Sequence, residues 1–243
     1  MVPEIELDGV FFSARGRTLV SGASLRLERG KTAALVGPSG GGKSTVLKLA
    51  AGLLVPDRGE ARFRGRRISS MGRQENLAFR RKAAFVFQDA ALWSNMTLFQ
   101  TLELPLRVHF PSMSSRERGR KVAEAAAEVG YGKDLTVRPS ELSRGEQKLI
   151  AFARAAICSP SLLFLDEWTE SLDEKSARRL VDLVVRARDA GATVVFVSHD
   201  ARIVGRLADE VLLVAAGAIA VRLAGEEVSC EEDLGRLLEL GAA

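Results

Sequence analysis

The chain lacks long uncharged apolar runs. Nothing in it approaches the roughly eighteen residues that a membrane-crossing helix needs. The longest candidates are residues 90–102, which include Ser, Asn, Gln and Thr, and 211–221, which Gly217 interrupts. Cysteine is scarce as well. Cys158 and Cys230 lie far apart, with neither metal-ligand spacing nor the makings of a disulfide framework. The first six residues, Met1 to Glu6, do not read as a signal peptide, and these absences together predict a cytosolic protein. There are no internal repeats, no low-complexity segment and no long heptad insertion. Base-stacking aromatics are also missing where nucleic acid would call for them. From Asp57 to Lys82, nine basic residues face three acids, but only Phe63 and Phe79 accompany them. That segment reads as a solvated face, and nucleic acid is not an expected partner.

What the chain does contain is a core-forming composition: 243 residues, 47% apolar and 27% charged, with a net charge of +4. That is enough for one large domain or a core plus a subdomain. The segment from Gly37 through Pro38, Ser39, Gly40, Gly41, Gly42, Lys43 and Ser44 to Thr45 fits the P-loop pattern G-x-x-x-x-G-K-[ST]. An apolar run of strand length (32–36) precedes it, and a helix start (46–51), closed by Gly52, follows. A strand, a glycine turn and a helix N-terminus together make an anion site, since free N–H groups and the positive end of the helix dipole point the same way. Lys43 is placed to reach phosphates and Ser44 to reach Mg²⁺. Further on, an apolar strand (162–165) runs into Asp166 and Glu167. That end of a parallel strand is where α/β sheets bind ligands. Asp166 suits Mg²⁺ shared with Ser44, and Glu167 suits an attacking water.

The remaining pattern sets these motifs in a fold. Residues 4–36 read as β-rich, 60–64 as an alternating strand after a turn at 56–59, and 83–87 as a short buried strand. From about 89 to 159 the pattern is helical, with a capping box at Ser114–Glu117 and a second helix from about Gly145. After Pro160 strands (162–165, 193–197, 211–214) alternate with helices (175–188, 203–208). The expected architecture is an α/β P-loop NTPase core of RecA-like type. It has a mainly parallel sheet, an antiparallel β part at the N-terminus and an inserted α-helical subdomain. The core spans about 1–88 and 160–222, the helical insertion about 89–159, and 223–243 a short acidic tail.

Taken in order, the P-loop, Gln88, the run Leu142-Ser143-Arg144-Gly145-Glu146-Gln147, Asp166-Glu167, Ser171 to Asp173 and His199 resemble the ATP-binding-cassette (ABC) ATPases over about residues 5–222. The resemblance implies an ATPase using ATP and Mg²⁺. Lys43, Gln88, Glu167 and His199 would be its catalytic residues, and Ser44, Gln88 and Asp166 its metal ligands. Ser143 and Gly145 would be the signature residues that bind the nucleotide of a second, head-to-tail cassette in a homodimer or heterodimer. It also implies integral-membrane permease subunits as partners, and a place on the cytoplasmic face of the membrane. Residues 90–107 resemble the permease-docking region of lipid and lipoprotein cassettes, with Trp93 and Phe99 either exposed to a partner helix or part of the subdomain core. Four positions depart from the family pattern: Arg144 and Glu146 in the signature, Trp168 after Glu167, and the stretch near Ala14, where Phe12 or Arg15 would replace the usual adenine-stacking aromatic. The alternatives are a soluble non-transport cassette, in assembly or DNA repair, and a catalytically weak regulatory one.

Overall fold

Side-chain alternation accounts for the first third of the chain. This computed structural model describes residues 2–228 and 230–240. β1 (Ile5–Ala14) and β2 (Arg17–Leu27) pair antiparallel, from Ile5 opposite Leu27 to Ala14 opposite Arg17. Ile5, Leu7, Val10, Val20, Ala23, Leu25 and Leu27 all turn inward. β4 (Arg58–Phe63) adds to the other edge of β1 and the two-residue β5 (Arg66–Arg67) to β4, giving the order β2-β1-β4-β5.

The second sheet is parallel apart from one edge. Its order is β10-β9-β3-β8-β7-β6, built from β3 (Thr32–Val36), β6 (Ala83–Val86), β7 (Leu162–Asp166), β8 (Thr193–Val197), β9 (Glu210–Ala215) and β10 (Ala218–Ala224). β3, β7 and β8 are buried along their whole lengths. This is why they read as continuous apolar runs rather than alternating ones. The 83–87 stretch, expected to be a buried strand, is the edge strand instead, and only Val86 of β6 is fully buried. β10 returns antiparallel to β9 and also touches β2, where Ser21 N–H donates to the Gly217 carbonyl.

Two apolar cores lie on opposite faces of this sheet. One joins α1 (Lys43–Ala50) and α2 (Arg73–Lys82) to the antiparallel strands, with Leu35, Leu47, Phe79 and Phe164 at its centre. The other lies under α3 (Leu98–His109), α4 (Ser115–Glu128), α5 (Arg144–Ala156), α6 (Glu174–Asp189) and α7 (Ala201–Leu207). α3, α4 and α5 pack on one another and fall between β6 and β7 in the chain, within the stretch expected to be a helical insertion. Ser114 caps α4 by accepting from Glu117 N–H at 3.2 Å, and Val122, Ala126 and Val129 face inward.

Two expectations change. The basic segment is not simply a solvated face. Arg64 forks onto buried Glu4 with two bonds of 2.9 Å, Arg62 and Arg26 hold buried Glu6, and Arg67 pairs with Glu60. Arg80 closes the end of α1 through the Ala51 and Gly52 carbonyls, at 2.7 and 2.6 Å. The acidic stretch beyond 222 is not a free tail either. β10 runs on to Ala224, and α8 (Glu231–Leu240) packs on α7 with Leu234 and Leu237 buried beside Val228. Its acids Glu231, Glu232 and Asp233 occupy the first turn, where the helix dipole favours them. No helix among the described residues is long and apolar enough to cross a membrane. Truncating Leu234 or Leu237 to Ala is expected to cost about 2–5 kcal/mol in urea unfolding, whereas a solvated tail would show no change.

Candidate nucleotide-binding and catalytic site

Adjacent strands bring the sequence motifs to one edge. β3 leads into Gly37–Thr45, β8 into Ser198 and His199, β7 into Asp166 and Glu167, and β6 into Phe87 and Gln88. Because β3, β8, β7 and β6 are parallel neighbours, all four C-terminal ends open on the same side.

The glycines of the loop are there for close approach. A Cβ on Gly37 would lie 2.1 Å from the Val214 carbonyl oxygen, and one on Gly41 2.8 Å from the same atom. Gly42 (φ +101°) would meet the Leu19 oxygen at 2.7 Å. α1 starts there with no side-chain cap and no acid in its first turn, so its N–H groups and dipole remain available to an anion. Lys43 is buried, and its ammonium donates to the Gly37 and Pro38 carbonyls at 2.8 and 2.9 Å. Burial lowers its pKa, while Glu167 and Asp166 oppose the shift. The backbone cradle and this cation suit a polyphosphate.

Ser44 Oγ donates to Asp166 Oδ1 at 2.8 Å across the gap between α1 and β7. Asp166 is buried, and burial raises its pKa against the Ser44 hydrogen bond. Among the described residues no cluster of three or more His, Cys, Asp or Glu could hold a metal alone. One carboxylate and one hydroxyl fit Mg²⁺, which takes few protein ligands and completes its octahedron with water and phosphate oxygens.

Glu167 is fixed at several points. Its backbone is left-handed at φ +45°, and its carbonyl accepts from the buried Lys148 ammonium at 2.6 Å. Gln88 Nε2 donates to one carboxylate oxygen at 2.8 Å, and His199 Nε2 lies 3.1 Å from the other. Gln88 also reaches Glu170 at 3.3 Å, so here its amide binds carboxylates rather than Ser44 or Asp166. Trp168 is wholly buried, edge-on to Phe196 at 5.5 Å, and so serves the core.

Ser143 and Gly145 lie elsewhere in this chain. Ser143 caps α5 and bonds to Glu146, while Gly145 lies against the Ser171 carbonyl and Leu172. Arg144 borders a cleft of about 780 Å³ that Gln88, Asp166, Lys48 and Lys148 also line. The two candidate adenine partners separate: Phe12 packs on a core, and Arg15 is exposed in the β1–β2 turn. Trp93 and Phe99 separate too. Trp93 is 44% exposed under the Arg154 guanidinium, and Phe99 packs against the core. Lys148 and Glu170 were not legible in the sequence, because a lysine on a helix and an acid in a loop both read as solvated.

The family model described as ABC transporter matches residues 20–170. The chain belongs to this family. As an ABC cassette it binds ATP with Mg²⁺ and hydrolyses it to drive transport, working as a pair of cassettes with permease subunits. It is 36% identical to the nickel import ATP-binding protein NikO of Rhodobacter capsulatus, across 99% of this chain and 96% of that protein. Its identity to the methionine import ATP-binding protein MetN of Brucella abortus is 32%, over 90% of this chain and 59% of that one. Among solved structures, the dimeric post-hydrolysis state of the ATP-binding cassette MJ0796 bound to ADP and Pi superimposes with a TM-score of 0.84 at 26% identity, covering 91% and 99% of the two chains. Gly37→Ala is expected to weaken nucleotide binding at least about tenfold by calorimetry, because its methyl must displace the Val214 backbone. Gly40→Ala meets no neighbour within 4 Å and should cost only the strain of its positive φ.

Proposed function

We propose that this ABC cassette hydrolyses ATP through Glu167, on the cytoplasmic face of a membrane transporter. The observation that carries this reading is the Glu167 carboxylate, held between Gln88 and His199 next to the Ser44–Asp166 pair. Backbone N–H groups of Gly37–Thr45 hold the ATP phosphates, and Lys43 exchanges its loop carbonyls for phosphate oxygens. Ser44 and Asp166, joined by the Gln88 amide once it leaves Glu167 and Glu170, would hold Mg²⁺, which would neutralise phosphate charge when bound. Glu167 orients the attacking water and takes its proton, and His199 keeps the carboxylate aimed and borders the terminal phosphate. The N-terminus of α5, with Ser143 and Gly145, faces the nucleotide of the second cassette.

A permease helix fits the recess of about 440 Å³ bordered by Trp93, Pro105, His109, Arg81 and Arg154. The exposed indole and apolar floor give it a binding face. The relatives named above import nickel or methionine, so nickel and methionine uptake are the first substrates to assay. Lys43→Ala is expected to abolish turnover, and Glu167→Gln to lower kcat by at least about a hundredfold while retaining ATP. Phosphate release and nucleotide retention measure these effects. Normal hydrolysis by Lys43→Ala would overturn the assignment.

A further inference from the structure

Two helix N-termini bear on the nucleotide, and they are built differently. α1 begins at Gly42 with its donors uncapped. α5 begins at Ser143 with a reciprocal side-chain cap: Ser143 N–H and Oγ–H both donate to Glu146 Oε2, at 2.9 and 2.8 Å, and Glu146 N–H donates back to Ser143 Oγ at 3.3 Å. The Lys133 ammonium holds the other oxygen, Oε1, at 2.7 Å. The Lys133 contact, then the Ser143 amide and hydroxyl, bring the Glu146 carboxyl down to about 2. At neutral pH an anion therefore sits on the positive end of α5. A phosphate arriving there meets like charge, and the serine proton is already donated.

The neighbouring residue offers another donor. Arg144 is the first residue of α5, exposed, and among the described residues its guanidinium has no hydrogen bond or ion pair. It borders the cleft that Gln88 and Asp166 of the same chain also line, so it stands on the face of the cassette that carries the catalytic edge, the face a head-to-tail partner would cover. A guanidinium carries five donors and a permanent charge, and it matches phosphate geometry bidentately. We infer that Arg144, rather than Ser143, is the side chain with which each cassette grips the phosphates of its partner's nucleotide, and that it offsets the internal anion Glu146. The inference rests on the head-to-tail reading above. It treats the two departures in the signature as one compensating pair: the acid that fills the helix end and the base that restores its attraction for anions.

The test is ATP-driven dimerisation of the full chain carrying Glu167→Gln, followed by light scattering over an ATP titration. Adding Arg144→Gln is expected to raise the ATP concentration for half-dimerisation about tenfold or more, the scale of one charge-assisted contact. Arg144→Lys keeps the charge and should recover most of that loss. Glu146→Gln should lower the requirement, and the double variant Arg144→Gln/Glu146→Gln should return near the parent. Ser143→Ala should lose less than Arg144→Gln. The inference is overturned if Arg144→Gln titrates like the parent, or if Ser143→Ala is the more damaging. Absence of any ATP-dependent dimer in the parent would instead remove the head-to-tail reading, and this inference with it.

Discussion

The catalytic edge depends on a contact between two backbones. The loop after β3 lies so close to the Val214 carbonyl that no side chain fits at Gly37 or Gly41. That contact sets where the chain can turn into α1, and hence the height at which Lys43 and Ser44 emerge above the sheet. Parallel register carries the height across to the other motifs. Leu35 stands beside Val197, and Val197 beside Asp166, so Ser44 and the Asp166 carboxylate meet at 2.8 Å. One residue further, Glu167 takes a left-handed backbone and turns its carboxylate back between Gln88 and His199. Strain of this kind persists only where the surroundings hold it, and here Lys148 on the Glu167 carbonyl and Val197 on its N–H do so.

Sequence reasoning served best where local pattern and tertiary role agree. β3, β7 and β8 are apolar throughout because both faces are covered, and the P-loop has a strand on one side and a helix on the other. It served poorly where the decisive partner is far away in the chain. Arg62 and Arg64 read as solvated because Glu6 and Glu4, which neutralise them, lie some sixty residues earlier. α3 falls within the 89–159 stretch read as helical, but its own bounds went unread because Pro105 sits inside it and its apolar residues resembled a surface patch. α8 carries an acidic first turn that dominates the composition, whereas the leucines that bury it appear only once α7 is in place. At the site, the phosphate loop and the Asp166–Glu167 pair were legible from spacing. The network that aims Glu167, including Lys148 and Glu170, joins residues that only the fold brings together.

The signature shows how one local rule can serve two purposes. Ser143 and Glu146 satisfy the ordinary reciprocal cap of a helix, which stabilises α5 whatever else the segment does. The same bonds occupy donors that an anion would want. A sequence that places an acid at the third position of such a helix therefore trades recognition for local stability, and an adjacent base is a compact way to restore recognition.

The helical insertion meets the sheet through carbon. Leu98 and Leu102 of α3 and Leu149 and Phe152 of α5 share one core with Leu163 and Leu165 of β7 and Phe196 of β8. Contacts of this sort have no preferred direction, so small sideways travel costs little until the rings collide. The polar tie across the same boundary behaves oppositely. The Lys148 ammonium of α5, on the Glu167 carbonyl at 2.6 Å, tolerates only a fraction of an ångström before it parts. The joint is thus a slide bearing fitted with a short latch. Whichever lobe is pushed first, the latch at Glu167 registers the displacement while the bearing beneath it stays shut to water.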